Sequence, residues 1–166
     1  MSDKKNVVWI GSDHGGYDLK KEFVRYLIEH AYAVHDVGTN SAEIVRYPQY
    51  AVRVAAEVSA GRIWRGILIC STGIGMSIVS NRFKGVRASL CTSTYLARMT
   101  REHNDSNLLC IGGKVTGVLE ALDILETWLS STYQGGRHDI SLGLIKDVDN
   151  SINQPESWDF VTSKNV

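Results

Sequence analysis

The chain is short of cysteine and proline and has no surplus charge of either sign. Its three cysteines, Cys70, Cys91 and Cys110, stand far apart, each near the end of a short apolar run. They are too few and too scattered for a disulfide framework, which predicts free thiols in a reducing, cytoplasmic setting. Two prolines exclude a proline-rich linker protein. Lys plus Arg and Asp plus Glu number 18 each, so the formal charge is zero. That balance argues against broad attraction to nucleic acid or to an anionic membrane, but leaves room for a local pocket for one small anion. No apolar run approaches the roughly 18 residues of a membrane-spanning helix. The first six residues are polar and lack an apolar signal region. What is present is ordinary globular material, 43% hydrophobic and 22% charged, which excludes disorder throughout.

Short apolar runs alternate with helical patterns. Strands are predicted at 7–10, 33–37, 66–70, 86–91 and 107–111. The near-continuous apolar run Gly66-Ile67-Leu68-Ile69-Cys70 suits a strand covered on both faces. Helices are predicted at 17–30, from Pro48 to Ala60, after Gly75 to Asn81, from Ser93 or Thr94 through Arg101, and at 118–129. A further helical segment spans 140–148. In the first helix Leu19, Phe23 and Leu27, with Val24 and Ile28, are expected on the buried face, and Lys20, Lys21, Arg25 and Glu29 elsewhere. Gly61 is expected to end the second helix. The pattern predicts an α/β fold: a three-layer, doubly wound (Rossmann-like) sheet of five parallel strands with an extended C-terminal helical segment. One domain is expected over 1–150, with a tail at 151–166 that carries Trp158 and Phe160.

Such sheets bind ligands beyond the carboxyl ends of their strands. The sharpest loop there is Cys70-Ser71-Thr72-Gly73-Ile74-Gly75-Met76-Ser77. A thiol stands at a strand end beside a small-residue turn whose N–H groups can cradle an anion. A buried structural cysteine before a tight turn is the competing interpretation. No Lys follows Gly75, position 78 is Ile where a dinucleotide fingerprint needs Gly or Ala, and Met76 replaces the Arg of a phosphatase-like loop. Asp13 and His14, within Gly11-Ser12-Asp13-His14-Gly15-Gly16, can orient a substrate, or Asp13 can simply cap a helix. The run Arg101 to Asn107 is expected as a loop reaching the same rim, with His103 as an acid/base candidate and Asn104 as a hydroxyl or oxyanion partner; a solvated loop is the alternative. Lys114 and Arg137 stand beside glycines, as suits phosphate, or are surface charges. No spacing of His, Cys and carboxylates suggests a metal site.

Taken in order, Gly11-Ser12-Asp13-His14-Gly15-Gly16, the stretch GILICSTGIGMS from Gly66 to Ser77, REHNDSN from Arg101 to Asn107 and GGRH from Gly135 to His138 resemble the type B ribose-5-phosphate isomerase family, which includes the galactose-6-phosphate isomerase subunits. The resemblance implies an aldose–ketose isomerase that needs no metal or organic cofactor. It implies Cys70 as the base at C2, His103 in ring opening and Thr72 in proton movement between O1 and O2. Amides from Ser71, Gly73, Ile74 and Gly75 would stabilise the enediolate. Asp13 and Asn104 would hold sugar oxygens, and His14, Lys114 and Arg137 the phosphate. It further implies a homodimer or homotetramer with sites at the subunit interface, where Arg137 serves the neighbour.

Four positions depart from the family pattern. Ser71 stands where many members have Gly, Arg46 precedes Tyr47-Pro48 where many have Asp, Lys114 replaces an Arg, and Ser141 replaces another. The last two remove bidentate phosphate contacts. Some members use a Glu at the position of Met76; methionine cannot act as a base, which favours Cys70. By the same resemblance the His103-Asn104 pair favours ribose 5-phosphate over galactose 6-phosphate, since the galactose-type subunits often lack that His, while Ser141 and Arg46 suggest a six-carbon sugar phosphate as the alternative substrate. A non-catalytic sugar-phosphate-binding domain is the remaining alternative.

Overall fold

The computed structural model describes residues 6–151. The chain alternates β1 (Val7–Ser12), α1 (Tyr17–Glu29), β2 (Ala33–Asp36), α2 (Tyr47–Ser59), β3 (Arg65–Cys70), α3 (Ile74–Ser80), β4 (Ala88–Leu90), α4 (Thr94–Asn104), β5 (Leu108–Gly112) and α5 (Val118–Ser130), and ends in α6 (Arg137–Ser151). The five strands are parallel, in the order β2-β1-β3-β5-β4. Helices α1, α4 and α5 cover one face, packing Phe23, Leu27, Ile124 and Trp128 onto Ile67, Ile69, Leu109 and Ile111. Helices α2 and α3 cover the other, with Val54, Val58 and Met76 on Leu68, Leu108 and Cys110. Every residue of β3 and β5 is buried, as expected for the apolar runs at 66–70 and 108–112, and β3 also buries Arg65 at its start.

Local signals in the chain set the helix ends. Pro48 sits in the first turn of α2, and Gly61 follows its end at a φ of 66°. Ser93, rather than Thr94, caps α4, its Oγ accepting the Leu96 N–H at 3.3 Å. Among the described residues no helix is long and apolar enough to cross a membrane. The tail expected at 151–166, with Trp158 and Phe160, lies outside the described residues except for Ser151, the last residue of α6.

Three expectations need correction. In α1, Ile28 is 61% exposed and Val24 only partly buried, whereas Lys20, expected on the outer face, is 2% exposed. At about 100° per residue, Lys20 falls only about 20° beyond Leu27 at the edge of the arc of Leu19, Phe23 and Leu27, and Ile28 lies about 180° from Leu19. Second, α4 continues to Asn104, so His103 and Asn104 occupy its last turn instead of a loop. Asp105 stops it in the left-handed region at a φ of 45°. Third, α6 begins at Arg137 and not near Ile140, directly after Gly135 and Gly136, both at positive φ. None of its residues is buried.

Candidate active site

The carboxyl ends of β1, β3 and β5 bring three loops into direct contact. Asp13 N–H donates to the Ile69 carbonyl at 3.2 Å, Gly113 N–H to that of Cys70 at 2.8 Å, and Lys114 N–H to that of Ser71 at 3.0 Å. The glycines between them are there because nothing larger fits. A Cβ at Gly15 would lie 2.2 Å from Ser71 Oγ, and one at Gly112 would lie 2.9 Å from the Thr72 backbone. Gly73 combines a φ of 78° with a Cβ position 2.9 Å from the Ile111 carbonyl carbon.

Within this junction the Cys70 side chain is 5% exposed, and its Sγ accepts the Gly73 N–H at 3.1 Å. Thr72 is exposed, its Oγ1 accepting the Ile74 N–H at 3.4 Å. The Gly75 and Met76 N–H groups, in the first turn of α3, have no intrahelical acceptor and are left for a ligand or water. Burial pushes the Cys91 thiol up to about 12 and the Cys110 thiol well above its ordinary range.

Asp13 does not cap α1, whose N-cap is Gly16. Its Oδ1 instead accepts the N–H groups of Gly15 at 2.9 Å and Gly16 at 3.2 Å, which fixes the turn against Ser71. His14 Nδ1 lies 3.1 Å from the Val45 carbonyl oxygen, so the Nδ1-protonated tautomer donates to it. Lys114 is exposed at the same rim. Tyr47, in sequence only a neighbour of Arg46, also belongs to this junction. A Cβ at Gly75 would lie 2.7 Å from its ring. The available signal was an aromatic residue directly before Pro48 at a helix start.

His103 and Asn104 are not brought to this rim, contrary to expectation, and Arg137, which the family resemblance assigns to a neighbour's site, is not there either. Gly66 is the second residue of β3 and its N–H donates to the Asn107 carbonyl at 3.0 Å, while Cys70 closes the same strand. Four residues of strand separate the two by about 13 Å. Helix α4 returns the chain from the Cys70 end of the sheet to the opposite edge before β5 begins, and its C-terminus is held there. Arg87 Nε donates to the Asn104 carbonyl at 3.0 Å, and Asp105 accepts from Arg87 Nη2 at 2.9 Å and from Arg101 Nη1 at 2.8 Å. At this edge the His103 and His138 rings stack, centroids 4.2 Å apart and 14° from parallel. Burial, then His103 and Arg137, hold His138 below the ordinary histidine value. Gln134 N–H donates to the Glu102 carbonyl at 3.0 Å, tying the segment before α6 to α4. Arg137 itself is exposed and forms no ion pair among the described residues.

A glycine-locked thiol turn at the switch between β1 and β3, with a histidine and an arginine grouped at the far edge, can be compared with known proteins. The ribose/galactose isomerase family model matches residues 8–145. The chain belongs to the ribose/galactose isomerase family. Ribose-5-phosphate isomerase B of Escherichia coli (strain K12) is 47% identical over 128 residues, which cover 77% of this chain and 86% of that protein. Ribose-5-P isomerase B of Listeria innocua is 39% identical over 140 residues, 84% of this chain and 95% of that one. Among solved structures, ribose-5-phosphate isomerase B of Clostridium thermocellum superposes with a TM-score of 0.86 at 47% identity, covering 88% of this chain and 99% of that chain. The type B ribose 5-phosphate isomerase of Trypanosoma brucei gives a TM-score of 0.82 at 41% identity, covering 86% and 98%. The doubly wound α/β sheet of this family member is therefore seen both in its own fold and in those relatives.

Proposed function

We propose that the protein interconverts ribose 5-phosphate and ribulose 5-phosphate through an enediolate, without metal or organic cofactor. The observation that carries this reading is Cys70 Sγ held 3.1 Å from the Gly73 N–H, inside a turn of closely spaced amides. The names of the relatives support the substrate class. Cys70, as thiolate, removes the C2 proton of the open-chain aldose and the electron pair moves onto the carbonyl oxygen. The Gly75 N–H, left without an intrahelical acceptor, and the neighbouring amides of the turn stabilise the resulting oxyanion, those of Gly73 and Ile74 by giving up Cys70 Sγ and Thr72 Oγ1. Thr72 passes the hydroxyl proton between O2 and O1, and the Cys70 thiol returns its proton to C1. A thiolate alone is too weak for so weakly acidic a C–H, so the rate depends on the anion-stabilising turn; losing one such donor typically costs roughly 100- to 1000-fold. Asp13 holds a sugar oxygen, and His14 and Lys114 take the phosphate.

His103 opens the furanose ring and Asn104 holds a sugar oxygen, but in one chain both lie at the wrong edge. We therefore propose that two copies complete each other's sites, one supplying Cys70 and its turn, the other His103, Asn104 and Arg137. Two features support this. Ile74, Ile78, Tyr95 and Leu119 are exposed on the helices that start at the Cys70 edge, and Val115 on the loop that leads into α5. Helix α6, which carries Arg137, leaves Ile140 exposed and buries none of its own residues. The whole of 1–150 is proposed as one isomerase domain, and its three buried free thiols suit the cytoplasm.

The test is ribose 5-phosphate conversion by the wild-type protein and Cys70→Ala, with chelator present. We expect turnover in the former and a loss of at least 100-fold in the latter. Turnover surviving in Cys70→Ala would overturn the base assignment. Arg46 and Ser141, at positions where many members have Asp and Arg, favour a six-carbon sugar phosphate as second reading. Relative turnover on allose 6-phosphate and galactose 6-phosphate separates the two. Binding without turnover on any sugar phosphate would leave only a binding domain.

A further inference from the structure

Lys20 is a desolvated cation on the apolar face of α1, between Leu19 and Phe23. Its Nζ donates to both oxygens of Asp36, at 2.6 and 2.5 Å. Asp36 closes β2, and its Oδ1 also accepts the Gly38 N–H at 2.8 Å. The Gly38 carbonyl then accepts the Ser12 N–H at 2.7 Å, and the Ser12 carbonyl accepts the Thr39 N–H at 2.8 Å. The ion pair thus fastens the segment after β2 to the residue immediately before Asp13. The same segment leads to Val45, whose carbonyl oxygen lies 3.1 Å and whose nitrogen lies 3.4 Å from His14 Nδ1, so that Nδ1 donates to the first when protonated and accepts from the second when not.

Stability is a weak account of this pair. The Lys20 side chain is 2% exposed and that of Asp36 33%, and a pair whose ammonium is desolvated is often matched or bettered by apolar residues of similar volume. A methionine at position 20 would continue the Leu19, Phe23 and Leu27 face. What the pair adds is a fixed geometry between the end of β2 and the two residues that follow β1.

We propose that Lys20 and Asp36 are positioning residues for phosphate binding: their ion pair sets the 38–45 segment so that His14 and Asp13 meet the substrate in one orientation. The inference rests on the sugar-phosphate reading above. Phosphate is remote from the reacting carbons, and Cys70 is held separately through β3 and β5. Loss of the pair therefore weakens uniform binding and leaves the chemical step intact.

The test compares Lys20→Met, Asp36→Ala and the double variant Lys20→Met/Asp36→Ala, each checked for folding by circular dichroism and thermal unfolding. The double variant leaves no unpaired charge, so it recovers the part of the lost stability that comes from a buried unpaired group, though the Gly38 N–H still lacks its Asp36 acceptor. For Lys20→Met and the double variant we expect KM for ribose 5-phosphate to rise about 10-fold with kcat within about twofold, and competitive inhibition by inorganic phosphate to weaken in parallel. A double variant that regains both stability and wild-type KM would reduce the pair to a structural one. A fall in kcat at unchanged KM would also overturn the proposal. If Asp36→Ala does not fold, the other two variants decide. If the wild-type protein turns over no sugar phosphate, the proposed function fails by itself. Inorganic phosphate titrated against the His14 imidazole resonances then reads the ion pair directly, and equal affinity in wild type and double variant sinks it.

Discussion

Three thiols of the same chemistry acquire different characters from their positions. Cys91 and Cys110 are buried among apolar side chains, which pushes the first up to about 12 and the second well above its usual range. Both stay protonated and inert at neutral pH. Cys70 is also buried, but it stands at a strand end and faces a backbone N–H. Histidines are sorted in the same way. His35 stacks on Trp9 with ring centroids 3.9 Å apart, whereas His138 stacks on His103 beside Arg137. Holding His138 below its ordinary 6.5 means that, between its folded value and 6.5, the unfolded chain binds more protons there than the folded one. Its contribution to stability is complete above pH 6.5 and is lost as pH falls through that window. Thermal unfolding of wild type and His138→Gln between about pH 8 and pH 5 checks this. The wild type should lose more on acidification; parallel curves would remove His138 as the cause.

At the scale of elements, the end of α4 decides where its functional residues go. Arg101 is almost fully buried, and its guanidinium shares Asp105 with that of Arg87. Asp105 also supplies the left-handed residue that stops the helix. Asp105→Asn keeps a residue that tolerates this conformation but removes the charge both arginines face. Breaking a buried pair costs roughly 3–5 kcal/mol, and about a third of Asp105 is open to water, so a loss of about 2 kcal/mol is expected. Urea unfolding should show a lower midpoint at unchanged slope; a midpoint equal to the wild type would mean the carbonyls around Arg87 and Arg101 suffice. The stack of His103 on His138 depends on the same helix end, so turnover of ribose 5-phosphate should fall along with stability.

For the whole molecule the decisive geometry is the separation of Cys70 from His103 by the length of the sheet. If two copies complete each other's sites, Cys70→Ala and His103→Ala are each inactive alone but complement when mixed. In a randomly reassembled dimer population about half the dimers carry one chain of each kind, and each of those holds one intact site. Refolding the two variants together should therefore restore about one quarter of wild-type turnover. A site built within one chain would restore none. Sedimentation of the same samples reports whether the mixed species forms.

Much of this was readable from single residues and their spacing. Apolar runs ending at Ile10, Cys70 and Ile111 located the three central strands, because residues covered on both faces have no polar alternation to break. Pro48, Gly61 and Ser93 marked helix ends through backbone chemistry that acts within a few residues. The thiol beside a glycine turn was visible for the same reason, since Cys70 and Gly73 meet across one turn of chain. Two things were not readable. Lys20 belongs to the polar class and was placed outside; only Asp36, delivered by the neighbouring strand, makes its burial tolerable. The edge reached by His103 and Asn104 depends on how far α4 runs before Asp105 stops it, and that stop is fixed by Arg87 and Arg101 closing on one carboxylate. By itself, then, the sequence determined the α/β alternation, the parallel sheet and the Cys70 turn, all of which arise from local patterns. Only the tertiary structure decided that the candidate groups divide between opposite edges of the sheet, because that depends on contacts between residues far apart in the chain.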